Sequence, residues 1–387
     1  MKMPLLLRIV IAIVLGAVLG GVLPLWAVRL FATFNGIFGN FLQFLIPLII
    51  VGLVTPAIAD VGRGVGAMLL ATVLIAYGDT VVAGLLSFLT ASSIFPSLIG
   101  SNATVALAGE GTSVSPFFEI AMPPLMDVMS ALVLALILGL GIALFSSLRL
   151  KELFGEFRQI IVRTIEVVVI PLLPLYIFGI FLIMAKEGQV ARVLSVFAWI
   201  IVVIFALHVL LLLLQYAVVG LLTKHNPLRL LGRMLPAYFT ALGTSSSAAT
   251  IPVTLKCALR NKVSEGVAGF VVPLCATIHL SGSCLKITAC AVALMLMRGL
   301  PFDGWMFLGF VLLLGVMMVA APGVPGGAIM AALGVLGSVL GFGEEEQALM
   351  IALYIAMDSF GTACNVTGDG AIALVVDRFF NKNKGEA

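Results

Sequence analysis

Six ionisable side chains interrupt otherwise apolar stretches of the sequence: Asp79, His208, His279, Lys286, Asp358 and Asp369. Charged groups in such surroundings are costly and usually functional. Asp358 and Asp369 stand eleven residues apart in MDSFGTACNVTGDG. At about 100° per residue, an unbroken helix brings them to one face within about 20°, with Asn365 about 20° to the other side. A carboxylate in this polar stripe can hold a cation, pair with a basic residue, or carry a proton. Sodium prefers oxygen ligands, which Asp, Asn and freed backbone carbonyls beside Gly368 supply. Helix–helix hydrogen bonding without a ligand is the structural alternative.

Two further stretches could bind solute through their backbone. ALGTSSSAATIP, residues 241–252, carries Ser245, Ser246 and Ser247, and a bend there exposes N–H groups suited to a carboxylate at a half-helix N-terminus. AAPGVPGGA, residues 320–328, has glycines for close approach and prolines that fix turns. It reads as a lid, or as a plain structural turn.

These residues need elements to position them. The 387-residue chain is 62% hydrophobic and 10% charged, far from a soluble domain. Runs near 4–28, 31–59, 64–91, 119–147, 157–184 and 193–223 each reach the length of about 20 residues that spans a bilayer. The first, with Lys2 and Arg8 before it, reads as a retained helix rather than a cleaved signal. Arg63, then Arg149, Lys151, Arg158 and Arg163, then Lys224, Arg229 and Arg233 fall on one side, whereas 92–117 holds no Lys or Arg. The positive-inside bias puts the N-terminus in the cytoplasm, and Arg378, Lys382 and Lys384 put the C-terminus there too, against Lys186 and Arg192.

Beyond residue 240, small and polar residues break the apolar runs in mid-membrane, where irregular backbone survives only inside protein or along a watery cavity. Both tips therefore read as re-entrant hairpins, each followed by one polar-bearing helix, 263–297 and 347–380. A hairpin plus a helix, then the same unit inverted, is a repeat pattern of secondary transporters, with the site at the midplane between repeats.

The five cysteines form no CxxC pair and read as buried, reduced packing. No nucleophile–base pair or metal cluster points to an enzyme, since Ser245 to Ser247 lack a placed His. No basic patch with interleaved aromatics points to nucleic acid. An anion channel is the rival of another kind, but the lid-like second tip favours alternating access.

GTSSSAATIPVT, PLCATIHLSGS, APGVPGGAIM and DSFGTACNVTGD resemble four signature segments of the dicarboxylate/amino acid:cation symporter family, the glutamate transporter homologues, in order and spacing over roughly 4–380. The resemblance implies an all-α integral membrane protein of eight transmembrane helices and two re-entrant hairpins, an elevator-type homotrimer of the plasma membrane. Residues 1–240 would form mainly the scaffold, with its third and sixth helices attached to a transport region at 241–387. It also implies that the tip serines, notably Ser247, and Asn365 hold a substrate α-carboxylate while Asp358 takes the amino group. Ser283, Thr362 and the backbone of Val324, Pro325, Gly326, Gly327 and Ala328 would enclose the substrate. One sodium would lie at Asp369 with carbonyls of Cys275, His279 and Asn365, and a second between Thr277 and the backbone of Met318, Val319 and Ala321.

Three departures bear on substrate and ion. Members that take acidic substrates have an arginine where Gly361 stands here, so a substrate side-chain carboxylate would be buried unpaired, which costs several kcal/mol. A small neutral amino acid such as serine, alanine or threonine is expected, with a dicarboxylate or acidic amino acid as the alternative. The family's Asn-Met-Asp-Gly-Thr is His279, Leu280, Ser281, Gly282 and Ser283, which removes or remodels a further sodium site. His279 either couples a proton or is a hydrogen-bonded core histidine, and His208 reads as structural. Lys286 needs a carboxylate partner. It either replaces a lost cation, paired with Asp79 or Asp358, or binds a substrate carboxylate in place of the missing arginine.

Overall fold

The computed structural model describes residues 4–61, 67–99, 114–145, 147–322 and 325–380, and every regular element among them is helical. The first half contains α1 (Leu5–Leu19), α2 (Leu25–Val61), α3 (Ala67–Ile99) and α4 (Val128–Phe145). Then come α5 (Leu148–Thr164), joined through a π turn (Ile165–Val169) to α6 (Ile170–Lys186), and α7 (Val190–Thr223). The apolar run expected over 4–28 breaks after Leu19, where two glycines and Pro24 interrupt it and α2 takes over. Gly20 is needed for the pairing of α1 with α6, because a Cβ there would lie 2.5 Å from the Leu182 carbonyl oxygen.

The span expected at 119–147 begins only at Val128, since Pro123 and Pro124 keep the preceding segment extended. The span expected at 157–184 begins earlier, at Leu148. Its first turns carry the charged, amphipathic LRLKELFGEFRQ, which a hydropathy window passes over.

The second half holds both hairpins. In the first, α8 (Pro227–Thr244) starts on an Asn226 cap that accepts from Arg229 N–H at 3.1 Å, with Pro227 in the first turn. It stops where Ser245 turns left-handed at φ 51°, and α9 (Ser247–Arg260) restarts on Ser246, whose hydroxyl accepts from Ala249 N–H at 3.2 Å. Only Ser245 and Ser246 of the 241–252 stretch are non-helical. In the second, α12 (Gly304–Ala320) runs in from an Asp303 cap and α13 (Gly327–Leu340) runs out from Gly326, whose φ of 76° suits a glycine. Val324 lies outside the described residues.

Each hairpin is followed by a span that is interrupted. The helix expected at 263–297 is α10 (Glu265–Ile278) and α11 (Ser281–Arg298), separated at His279 and Leu280. The helix expected at 347–380 is α14 (Glu344–Ala356) and α15 (Asp358–Phe380), bent by 64° at Met357. Both breaks fall at the polar motifs, so helix ends with free N–H and C=O groups are delivered to the centre of the protein.

Six described helical spans are long and apolar enough to cross a bilayer, the bent pair α14–α15 makes a seventh, and α1 is a shorter apolar helix packed along α6. α2 lies against α4, α5 and α6, whereas α3 packs on α11 and α7 on α15. Residues 281–295 and 361–374 are buried on every side. Their polar side chains therefore face protein rather than lipid.

Candidate functional site

The bend at Met357 places two charges together. It ends α14 and starts α15 with Asp358, so a cation is favoured at the first terminus and an anion at the second, with the Tyr354 and Met357 carbonyls also accepting the Met357 and Gly361 N–H groups at 3.1 Å. Lys286 of α11 supplies the cation. Its fully buried Nζ lies 3.2 Å from Asp358 Oδ1, 3.4 Å from the Met357 carbonyl and 3.5 Å from that of Tyr354, and 3.4 Å from the centre of the Tyr354 ring. Asp358 Oδ2 accepts the Gly326 N–H of the second hairpin at 3.1 Å. One carboxylate thus ties α11 to the tip of the second hairpin. Of the two partners expected for Lys286, Asp358 is the one it meets.

The break at His279 is the second meeting point. With the chain extended there, the imidazole turns inward between two carboxylates. Nδ1 is 2.8 Å from Asp369 Oδ1 and Nε2 is 2.8 Å from Asp79 Oδ2. Gln215 of α7 donates to the same Asp79 oxygen at 2.6 Å and to Ser281 Oγ at 3.3 Å. Gly368 makes room for the ring, since a Cβ there would sit 2.7 Å from His279 Cε1. Two nitrogens facing two carboxylates require either an imidazolium or one protonated carboxyl, because a neutral imidazole has a single N–H.

Asn365 sits between these points. Its Oδ1 accepts the Gly282 and Ser283 N–H groups at 2.8 and 3.3 Å, satisfying the first free donors of α11, and its Nδ2 reaches Ser283 Oγ at 3.3 Å. Ser283 Oγ also meets the Tyr354 hydroxyl at 3.1 Å. The stripe of Asp358, Asn365 and Asp369 therefore contacts α11 and the α10–α11 break through all three members.

A small cavity of about 40 Å³ lies between the hairpin tips and this stripe. Ser245, Ser247, Thr277, Ser283, Ala321, Ala328, Asp358, Thr362 and Asn365 line it, as do Tyr354 and Pro322. Ser246 instead caps α9, and Ser245 Oγ is 2.7 Å from Ser359 Oγ. Pro325 is exposed while Gly326 and Gly327 are buried behind the tip. Gly361 contributes space, and Lys286 fills it: a Cβ on Gly361 would lie 2.8 Å from Nζ. His208, with Nε2 3.0 Å from the Gly282 carbonyl oxygen, stands away from the cavity and steadies the start of α11.

The residues expected to hold sodium differ in how they suit it. Thr277 shares one cavity with Ala321 and a neighbouring one with Val319 and Ala320. α12 ends there, so its last carbonyls lie at the negative end of the helix, that of Met318 also accepting the Ala321 N–H at 3.3 Å. A hydroxyl and carbonyls at the negative end of a helix fit a hard cation. Around Asp369, expected to hold another sodium with the carbonyls of Cys275, His279 and Asn365, Oδ1 meets the His279 imidazole at 2.8 Å and the Cys275 carbonyl accepts the His279 N–H at 2.9 Å.

Tyr354 and Gln215 were not singled out from the sequence. A tyrosine four residues before Asp358 and a lone glutamine in the apolar run of α7 are the signals that could have found them.

The "Sodium:dicarboxylate symporter family" matches residues 5–379. Excitatory amino acid transporter 1 of Ambystoma tigrinum is 31% identical over 234 residues, 59% of this chain and 42% of that protein. Excitatory amino acid transporter 3 of Mus musculus is 28% identical over 262 residues, 66% of this chain and 49% of that protein. The aligned part is thus less than half the length of these curated relatives. The match runs through α1 to α7 as well as both hairpins and both interrupted spans, and on that footing the chain belongs to the sodium:dicarboxylate symporter family.

Proposed function

We propose that this protein is a secondary active symporter of the plasma membrane that imports a small neutral amino acid of the serine, alanine or threonine class. The observation that carries the reading is that no basic side chain lines the cavity between the hairpin tips among the described residues. Lys286 is turned away beneath Tyr354 and neutralised by Asp358. A zwitterionic amino acid adds no net charge to that pair, whereas a second carboxylate adds an uncompensated one in a buried site. Ser247, Thr362, Asn365 and the α9 N-terminus offer donors for the α-carboxylate, and Asp358 is the acceptor for the amino group.

One sodium is carried by Thr277 with the carbonyls of Met318, Val319 and Ala321. At Asp369 the positive charge is supplied by a protonated Asp79–His279–Asp369 cluster in place of a second sodium. Residues 241–387 act with α3 and α7 as the moving part of a homotrimer whose remaining helices form its scaffold, with both termini cytoplasmic.

Uptake into proteoliposomes tests the reading. Serine, alanine and threonine should accumulate under an inward sodium gradient. Accumulation of succinate or aspartate alone, or mere equilibration of every solute as through a channel, would overturn it. A second reading, transport of a dicarboxylate, has one observation in its favour: the Lys286 ammonium contacts Asp358 and Tyr354, both of which line the cavity.

A further inference from the structure

A predominantly apolar cavity lies outside the site described above. It measures about 390 Å³ and runs between α3, α7 and α15, walled by Val82, Leu86, Leu211, Leu214, Val218 and Ile372. Val82, Leu214 and Val218 are exposed on the outer surface, so the cavity opens towards lipid. Its floor is not apolar. Asp79 and Gln215 line it, and the Asp79 side chain keeps 20% of its exposure. Both bonds to Asp79 go to Oδ2, and Oδ1 accepts none among the described residues. Gln215 is buried, and its Oε1 has no hydrogen-bond partner.

A lipid acyl chain can fill the walls of such a cavity but leaves these acceptors unmet, and unmet acceptors are costly where no water reaches them. A pocket of apolar walls with a few convergent polar atoms is the usual form of a small-molecule site. We infer that the cavity between α3, α7 and α15 is a binding site for an apolar monoamine, a hydrocarbon body whose ammonium head donates to Asp79. Charge complementarity selects this occupant: the floor carries a carboxylate with an unused oxygen, and the neighbouring amide adds only a further acceptor. The site is reached from the bilayer and is separate from the cavity between the hairpin tips. Its occupant takes the free Oδ1 of the carboxylate whose Oδ2 meets His279, which links it to the Asp369 cluster.

The test is thermal unfolding of the full chain in nanodiscs of neutral phosphatidylcholine, with octylamine, octanol and octanoate at equal concentration in the lipid. Octylamine should raise the midpoint by about 2 °C or more, and the alcohol and the acid should leave it unchanged. Gly78 lines the cavity with open space beyond it, so Gly78→Leu should fill the volume without a clash and abolish the shift. Should that variant not fold, Val218→Trp on the rim serves the same purpose. Equal shifts from all three probes, no shift with octylamine, or a shift that persists in the filled variants would each overturn the proposal. Since the readout is binding, it stands or falls independently of the substrate assigned above.

Discussion

The ammonium of Lys286 occupies the space that a side chain on Gly361 would need, Nζ lying 2.8 Å from the position of an added Cβ. Charge has thus been supplied from α11 rather than from α15, and it is spent on Asp358. Gly361→Arg alone should therefore set two cations in one buried space and reduce uptake at least tenfold. Gly361→Arg with Lys286→Met should regain transport and favour aspartate over serine, read as the ratio of the two uptake rates.

Lys286→Met by itself strands Asp358, which is 9% exposed, without its partner. Removing one member of a buried ion pair costs about 3–5 kcal/mol. A lowered unfolding midpoint is expected, with recovery in Lys286→Met/Asp358→Asn. A double-mutant cycle on the midpoints measures the coupling. If neutral amino acid uptake survived Lys286→Met and only acidic uptake disappeared, the dicarboxylate reading would replace the one proposed.

His279→Gln removes a ring that touches both Asp369 and Asp79 at 2.8 Å. The freed carboxylates then become available to an alkali cation. Stability and uptake in the variant should depend more steeply on sodium than in the parent, measured as the midpoint across a sodium titration. Gly368→Ala perturbs the same ring by crowding, and overpacking of this kind costs about 1–3 kcal/mol.

Thr277→Val keeps the shape of the side chain and deletes its hydroxyl oxygen. Sodium should lose most of its stabilising effect, while the midpoint without sodium changes by less than about 1 kcal/mol equivalent, because the deleted donor serves only the Leu274 carbonyl.

Asn365→Ala leaves the Gly282 and Ser283 N–H groups unmet in a buried region, at about 1–3 kcal/mol for each unsatisfied group. Asn365→Asp keeps the acceptor but adds charge to the cavity. It should fold better than the alanine variant and bind the neutral amino acid at least tenfold more weakly, as seen in isothermal titration.

Much of the site was legible before any coordinates. Helical periodicity alone put Asp358, Asn365 and Asp369 on one stripe, and runs of small and polar residues located both hairpin tips. Those properties are local, arising from a repeat of 3.6 residues and from backbone that cannot continue as a helix. The partners were not local. Asp79 bonds His279 across 200 positions of sequence and Lys286 bonds Asp358 across 72, and nothing in either neighbourhood names the other. The choice of Asp358 over Asp79 for Lys286 followed from the bend at Met357, which turns the Tyr354 and Met357 carbonyls and Asp358 towards the lysine. The choice of Asp79 and Asp369 for His279 followed from the break between α10 and α11, which turns the ring inward, and from the space that Gly368 leaves for it. Sequence by itself determined which residues are too polar for the bilayer and on which face they lie. Only the tertiary structure decided which charges neutralise one another, because that depends on where helices end and how closely they approach.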